Sequence, residues 1–274
     1  MPVISVITIN YNNAGGLQKT IDSVAFQTSK DFEFIVIDGD STDNSSAIIS
    51  KYSSIITYSV SEKDKGIYDA QNKGIAEAKG DFLIFMNSGD CFAENNTLSK
   101  ITEFIQNNKA AKLVYGNTNL VAKNGSIELL CPPAVLDLEF FFTATLNHQS
   151  CIIHKSLFDS YGLFSTDYKI CSDYDFLLKV FLKESNSFAY INAIICNYEN
   201  YGTSANVKLF ETVVAERKKI QQTLLSEQQL LAAKHHEIKL LGRKSKFFKL
   251  VPGIKSAASF YDKFYARWYQ WRVK

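Results

Sequence analysis

Residues 61–90 read SEKDKGIYDAQNKGIAEAKGDFLIFMNSGD. GIYDAQNKGIAEA reads as a helix, and FLIFM, residues 82–86, is a continuous apolar run of strand length. The run ends on a small polar turn, NSGD, that carries one acid, Asp90. A helix feeding a fully apolar strand belongs to a sheet covered on both faces.

The same unit recurs upstream. Val3 to Ile9 reads as a buried strand, and AGGLQKTIDSVAFQ follows with Leu17, Ile21, Val24 and Ala25 at helical spacing. FEFIVID is a second strand, and STDNSSAIISKYSS a second helix with Ser41 or Thr42 at its cap and Asp43 at the positive end of its dipole. IITYSV is a third strand. Repeated strand-then-helix units with short connections imply an α/β protein with a mainly parallel sheet, whose ligands bind beyond the carboxyl ends of its strands. Asp38, Asp64 and Asp90 follow three different strands, so all three reach that edge. One acid in such a turn is commonly a helix cap; three converging acids point to a polar site.

Composition narrows the possibilities. The 274 residues are 46% hydrophobic, enough for a full core, and the net charge of +2 makes no general case for nucleic acid. The basicity is local: residues 242–274 hold nine Lys and Arg against Asp262 alone. Five cysteines, at 91, 131, 151, 171 and 196, form neither a CxxC pair nor a zinc spacing, and an odd count fits a reducing cytoplasm better than a disulfide framework. No basic-then-apolar leader opens the sequence, and no apolar run reaches the roughly 18–20 residues of a membrane span.

VISVITINYNN, FIVIDGDSTDNS, the stretch 61–90 and ICSDYDFLLK occur in an order and spacing that resemble family 2 glycosyltransferases, over about residues 2–204. The resemblance implies the GT-A fold and an inverting enzyme of bacterial surface-polysaccharide synthesis that uses a UDP-sugar. It implies a catalytic domain over 1–204, with a nucleotide-sugar half to residue 95 and an acceptor half beyond, and a helical extension over 205–274. It assigns Asp90 to a divalent cation, Mg2+ or Mn2+, that bridges the leaving diphosphate. Ser88 stands where the first acid of the family's DxD turn would be, so it can reach a ribose hydroxyl but brings no charge. Mg2+ tolerates a single carboxylate because it keeps waters and takes phosphate oxygens.

By the same resemblance Asp38 accepts from the N3–H of uracil, Asn10 and Tyr11 flank the base, and Asp64 meets ribose or base. Asp69, Asn72 and Lys73 share one helical face, which directs them to the diphosphate and sugar. His148 and Gln149 lie in a loop near the transferred sugar. Asp173 is the general base at the start of a helix, with Ser172 replacing the first acid of the family's Glu-Asp pair and Asp175 serving the helix dipole. Because two family acids are serines, a non-catalytic sugar-nucleotide-binding or scaffold protein of the same fold stays open.

Past residue 91 the pattern is less regular. KLVYGNTNLV and GSIELL read as a hairpin turning at Lys123-Asn124-Gly125. Residues 205–241 read as long helices with Leu209, Val213, Ile220, Leu224 and Leu231 among their apolar positions. After Gly242 and Pro252, an aromatic stripe from Ile254 to Trp268 carries Lys255, Lys263, Arg267 and Arg272 around it. A basic amphipathic helix of this kind suits the surface of an anionic membrane, here the cytoplasmic face of the inner membrane beside a lipid-linked saccharide acceptor.

Overall fold

A computed structural model describes residues 3–199 and 209–236. The basic tail lies outside the described residues.

Strands β1 (Ile4–Asn10), β2 (Phe32–Asp38), β3 (Tyr58–Ser61) and β4 (Phe82–Phe85) run parallel, in the order β3-β2-β1-β4. Every residue of β1 is buried, as a strand covered on both faces demands. Ile4 and Val6 pack with Leu17, Ile21 and Val24 of α1 (Ala14–Ala25), while Ile7 and Ile9 pack with Tyr68 and Ile75 of α3 (Ile67–Glu77). Two residues in succession thus serve opposite cores, the period-2 rule of a strand. The pairing register aligns Asn10 with Asp38 and Asp38 with Ser61, so these three polar side chains form one row at the carboxyl edge.

The second helix begins later than its sequence signals imply. Helix α2 spans Ser45–Lys51, because Ser41 is bound to Asp38 and cannot cap it. Asp43 instead accepts from the backbone N–H of Ala14 and of Ser45, at 2.8 and 3.0 Å. The β1–α1 and β2–α2 loops are thereby joined, and Asn12 adds a bond to the Thr42 N–H at 2.8 Å.

Beyond β5 (Cys91–Phe92) and α4 (Thr97–Asn107) the sheet becomes mixed. β6 (Leu113–Val121) and β7 (Ile127–Leu130) form the expected hairpin, with Gly125 at φ +82° in its turn. β8 (Cys151–His154) inserts between β4 and β6 and runs against both; β9 (Phe188–Glu199) follows β6 in parallel and pairs with β5. Inserting β8 next to β4 puts the loop before β8 beside the loop after β4, which assembles the site.

Helices α5 (Leu138–Thr143), α6 (Lys155–Tyr161), α7 (Ser172–Glu184) and α8 (Phe210–Leu224) add to the α3 face. Phe158 of α6 stacks on Phe176 of α7 at 4.5 Å between ring centres, and Phe164 meets both edge-on. Such ring pairs contribute about 0.5–1.5 kcal/mol each beyond their buried area, and they anchor the first turn of α7. Of the apolar positions expected beyond residue 205, Ile220 is buried but Leu231 is exposed. All five cysteines are free thiols, and among the described residues no helix is long and apolar enough to cross a membrane.

Candidate active site

At the carboxyl edge of β2, Asp38 is 1% exposed and receives four hydrogen bonds. Oδ1 accepts from Asn10 Nδ2 at 2.7 Å and Ser41 Oγ at 2.6 Å; Oδ2 accepts from the Ser41 N–H at 3.0 Å and Ser61 Oγ at 2.6 Å. Burial pushes its pKa up, but the Ser41 and Ser61 hydroxyls, with the Ser41 and Asn10 N–H groups, prevail and hold it below the ordinary value. A carboxylate offers about four acceptor positions, and all are filled. Asp38 ties the ends of β1 and β3 to the β2–α2 loop, and Asn10 is its partner beneath the surface.

Above it lies a slot. A Cβ on Gly39 would stand 2.4 Å from Asp64 Oδ2 and 3.2 Å from Tyr11 Cδ2, so only glycine leaves room between those side chains. Tyr11 is 67% exposed, with its ring free for stacking. Asp64 accepts the Gly66 N–H on Oδ1 at 2.8 Å, which turns Oδ2 toward the slot. On α3, Lys73 Nζ lies 4.0 Å from Asp69 Oδ2 one turn away, and each of the trio also has partners of its own. Lys73 bonds Glu62 at 2.7 Å and the Lys63 carbonyl at 2.9 Å, and Asp69 accepts the Lys65 N–H at 3.0 Å. Asn72 has both amide atoms on the Phe164 backbone, at 2.8 and 3.1 Å, where they brace α3 against the segment before α7 rather than face a donor.

The turn after β4 is tied to the β1–α1 loop. Ser88 Oγ donates to the Asn13 carbonyl at 3.2 Å, and Asn13 Nδ2 returns a bond to the Ser88 carbonyl at 3.1 Å. Gly89, at φ +109°, donates its N–H to Thr20 Oγ1 at 2.9 Å. Asp90 does not cap a helix, since α4 begins only at Thr97. Its carboxylate is 5% exposed and accepts from Gln149 Nε2 at 3.0 Å and from the Glu199 N–H at 3.1 Å. Burial outweighs both bonds and raises its pKa to about 7.

A buried carboxylate displaced that far has no full positive partner beside it, and a carboxylate is an oxygen ligand of the kind Mg2+ or Mn2+ takes. The fit is partial: Glu199, the neighbouring acid, pairs with Lys19, and among the described residues no group of three His, Cys, Asp or Glu side chains is arranged to hold an ion.

Asp173 sits in the first turn of α7, one residue after Ser172, and the N-cap is Cys171. His148 Nδ1 lies 3.2 Å from Asp173 Oδ2, and Tyr68 Oη donates to Oδ1 at 3.1 Å; the His148 and Asp173 side chains are each 15% exposed. Burial pushes Asp173 up, yet His148, the Tyr174 N–H and Tyr68 together hold it below the ordinary carboxylate value. Asp175, two residues further on, pairs with Lys179 one turn along the helix. Consecutive residues on the loop before β8 therefore reach two different acids, Gln149 to Asp90 and His148 to Asp173.

Three contributors escaped the sequence reading. Tyr68 and Asn87 look like ordinary core and turn residues in sequence. Glu216 of α8 accepts the backbone N–H groups of Lys169, Ile170 and Cys171 at 2.7, 3.0 and 3.0 Å, fastening the loop that launches α7. A lone acid in a charged helix gives no signal for such a clamp.

Residues 5–159 match the family described as glycosyl transferase family 2. The chain belongs to that family. This glycosyltransferase is 28% identical over 209 residues to a PGL/p-HBAD biosynthesis glycosyltransferase of Mycobacterium tuberculosis, covering 75% of this chain and 80% of the relative. It is 31% identical over 210 residues to an uncharacterized glycosyltransferase of the same species, covering 75% and 78%. Among solved structures, S. aureus TarS in complex with UDP-GlcNAc shares the fold at a TM-score of 0.65 and 19% identity, over 90% of this chain and 73% of that one. The mannosyltransferase PcManGT from Pyrobaculum calidifontis, in complex with GDP-Man and Mn2+, shares it at 0.58 and 15% identity, over 99% and 83%. The GT-A fold is thereby shared with both. The family match ends before Asp173, so α7 and the Glu216 contacts lie beyond it.

Proposed function

We propose that this glycosyltransferase moves a sugar from a UDP-sugar to a hydroxyl of a lipid-linked or growing saccharide, with inversion at the anomeric carbon. One observation carries the reading: neighbouring residues His148 and Gln149 hold two carboxylates whose proton affinities are pushed apart, Asp173 downward and Asp90 up to about 7. Such opposed environments mark groups with different tasks.

Asp90 would hold Mg2+ or Mn2+, whose charge stabilises the leaving diphosphate when the ion and donor are bound. Ser88, whose hydroxyl donates to the Asn13 carbonyl, keeps lone pairs that can accept from a ribose hydroxyl. Tyr11, Gly39 and Asp64 form the base slot, with Asp64 Oδ2 as the acceptor left for a base N–H now that Asp38 is filled. Asp173 stays ionised near neutral pH and takes the proton of the incoming hydroxyl, on the side away from the diphosphate. The UDP and UDP-GlcNAc complexes of TarS support a UDP-sugar donor. The basic tail gives the enzyme a peripheral contact with an anionic membrane, at the cytoplasmic face where a lipid-linked acceptor is presented.

The test is thermal unfolding with a panel of UDP- and GDP-sugars, with and without Mn2+. A donor at 100 times its Kd adds about 2.7 kcal/mol, and UDP-sugars should protect with Mn2+ enhancing the effect. Protection by GDP-sugars alone, or none by any UDP-sugar, defeats the donor assignment.

A further inference from the structure

We infer that Asn87 fixes the tautomer of His148, and that His148 in turn positions the Asp173 carboxylate, so that the Asp90 turn and the base form one hydrogen-bonded unit. The inference rests on Asp173 being the base and adds two positioning residues to it.

The geometry leaves His148 one neutral arrangement. Its Nε2 faces Asn87 Nδ2 at 3.3 Å, and its Nδ1 faces Asp173 Oδ2 at 3.2 Å. An amide nitrogen only donates, so Nε2 must accept, and the ring proton must sit on Nδ1, where the carboxylate receives it. In this orientation Asn87 Oδ1 accepts from Gln71 Nε2 at 3.4 Å. Turning the Asn87 amide over would set its oxygen on Nε2, draw a second proton onto the ring and make it an imidazolium.

Asp173 depends on that proton. Tyr68 has a single hydroxyl hydrogen and shares it between Asp173 and the Ile170 carbonyl, with the closer contact to Ile170. His148 is then the undivided side-chain donor to the base. That donor holds the carboxylate in one rotation. The other titratable groups facing this pair are Tyr68 on α3, Cys151 on β8, Cys171 before α7 and Asp90 across the site, while Glu216 and Arg217 on α8 act on Cys171. Of these only Tyr68 hydrogen-bonds Asp173 through its side chain among the described residues.

Two measurements test the unit. Nitrogen NMR of the full-length protein should show the neutral His148 ring carrying its proton on Nδ1; in Asn87→Asp, an acceptor now faces Nε2 and the ring should take up a second proton. Carbon NMR of the Asp173 carboxyl, assigned with Asp173→Asn, should show its titration moved to higher pH in His148→Ala and restored in His148→Asn, whose amide nitrogen can replace the Nδ1 donor. Turnover of whichever UDP-sugar protects the fold should drop about ten-fold in kcat for His148→Ala, the size of one hydrogen bond to a charged group. KM for the donor should hold, the acid limb of the pH profile should move up, and His148→Asn should recover. A native proton on Nε2, or an Asp173 titration indifferent to His148, overturns the inference by itself. If Asp173→Asn turns over at the native rate, the base assignment falls and the positioning role falls with it.

Discussion

At the edge of β2, Asp38 collects four hydrogen bonds and is almost wholly covered. Across the sheet, Asp90 takes two donors, Gln149 Nε2 and the Glu199 N–H, and Asp173 takes three, His148, Tyr68 and the Tyr174 N–H. All three are acids brought to the site by strand ends or a helix start, yet their surroundings divide them. The saturated one ties β1 and β3 to the β2–α2 loop, while Asp90 and Asp173, in the roles proposed for them, keep lone pairs for chemistry. Counting donors separates a structural acid from an available one better than location does.

The largest break in that contrast should come from Asp90→Asn. Without the charge that serves the leaving diphosphate, kcat should fall by roughly 10²–10³-fold, comparable with loss of one electrostatic stabiliser, and EDTA should mimic it. Stability gives an independent readout. Because the folded pKa of about 7 lies above the ordinary value of 3.8, the folded protein binds the extra proton. The ligand-free protein should therefore lose stability as pH rises from about 4 to 7, and Asp90→Asn should flatten that slope. A melting profile with the same slope in both proteins would show that Asp90 is not the displaced group.

A smaller effect should sharpen the comparison on the donor side. Gly39→Ala places a methyl group against Asp64 and Tyr11, and crowding of this kind costs about 1–3 kcal/mol unless the neighbours yield. UDP affinity should fall roughly ten-fold, about 1.4 kcal/mol, as calorimetric titration with UDP can report, with the melting temperature lowered by about 2–4 °C for each kcal/mol of crowding. Undiminished UDP binding would put the base elsewhere.

The first half of the fold was legible because its strands are continuous apolar runs between polar turns, and local pattern suffices for parallel strands covered on both faces. The FEFIVID strand falls on Phe32–Asp38 as read. The second half depends on contacts remote in sequence. Nothing near His148 announces that β8 will lie against β4, yet that pairing brings His148 to Asn87 and Gln149 to Asp90. The acids themselves were visible at strand ends, but the four donors around Asp38 come from β1, β3 and the β2–α2 loop, a count that requires the register. Asn72 likewise has helix-face spacing in sequence but a tertiary partner, Phe164, 92 residues away.

The most direct measurement of the division between structural and chemical acids pairs Asp38→Asn with Asp173→Asn, following denaturant stability and turnover of the same preparations. Asp38→Asn turns an amide group toward the hydroxyls and N–H groups that served a charge, and should lose about 1–3 kcal/mol of stability while the folded fraction keeps kcat within a few-fold. Asp173→Asn should keep its stability to within about 1 kcal/mol, because the amide is still packed in the first turn of α7, and lose roughly 10²–10⁴-fold in kcat with UDP binding intact. If Asp38→Asn instead abolishes turnover at full stability, or Asp173→Asn unfolds the protein while its folded fraction turns over normally, the two acids have been given each other's roles.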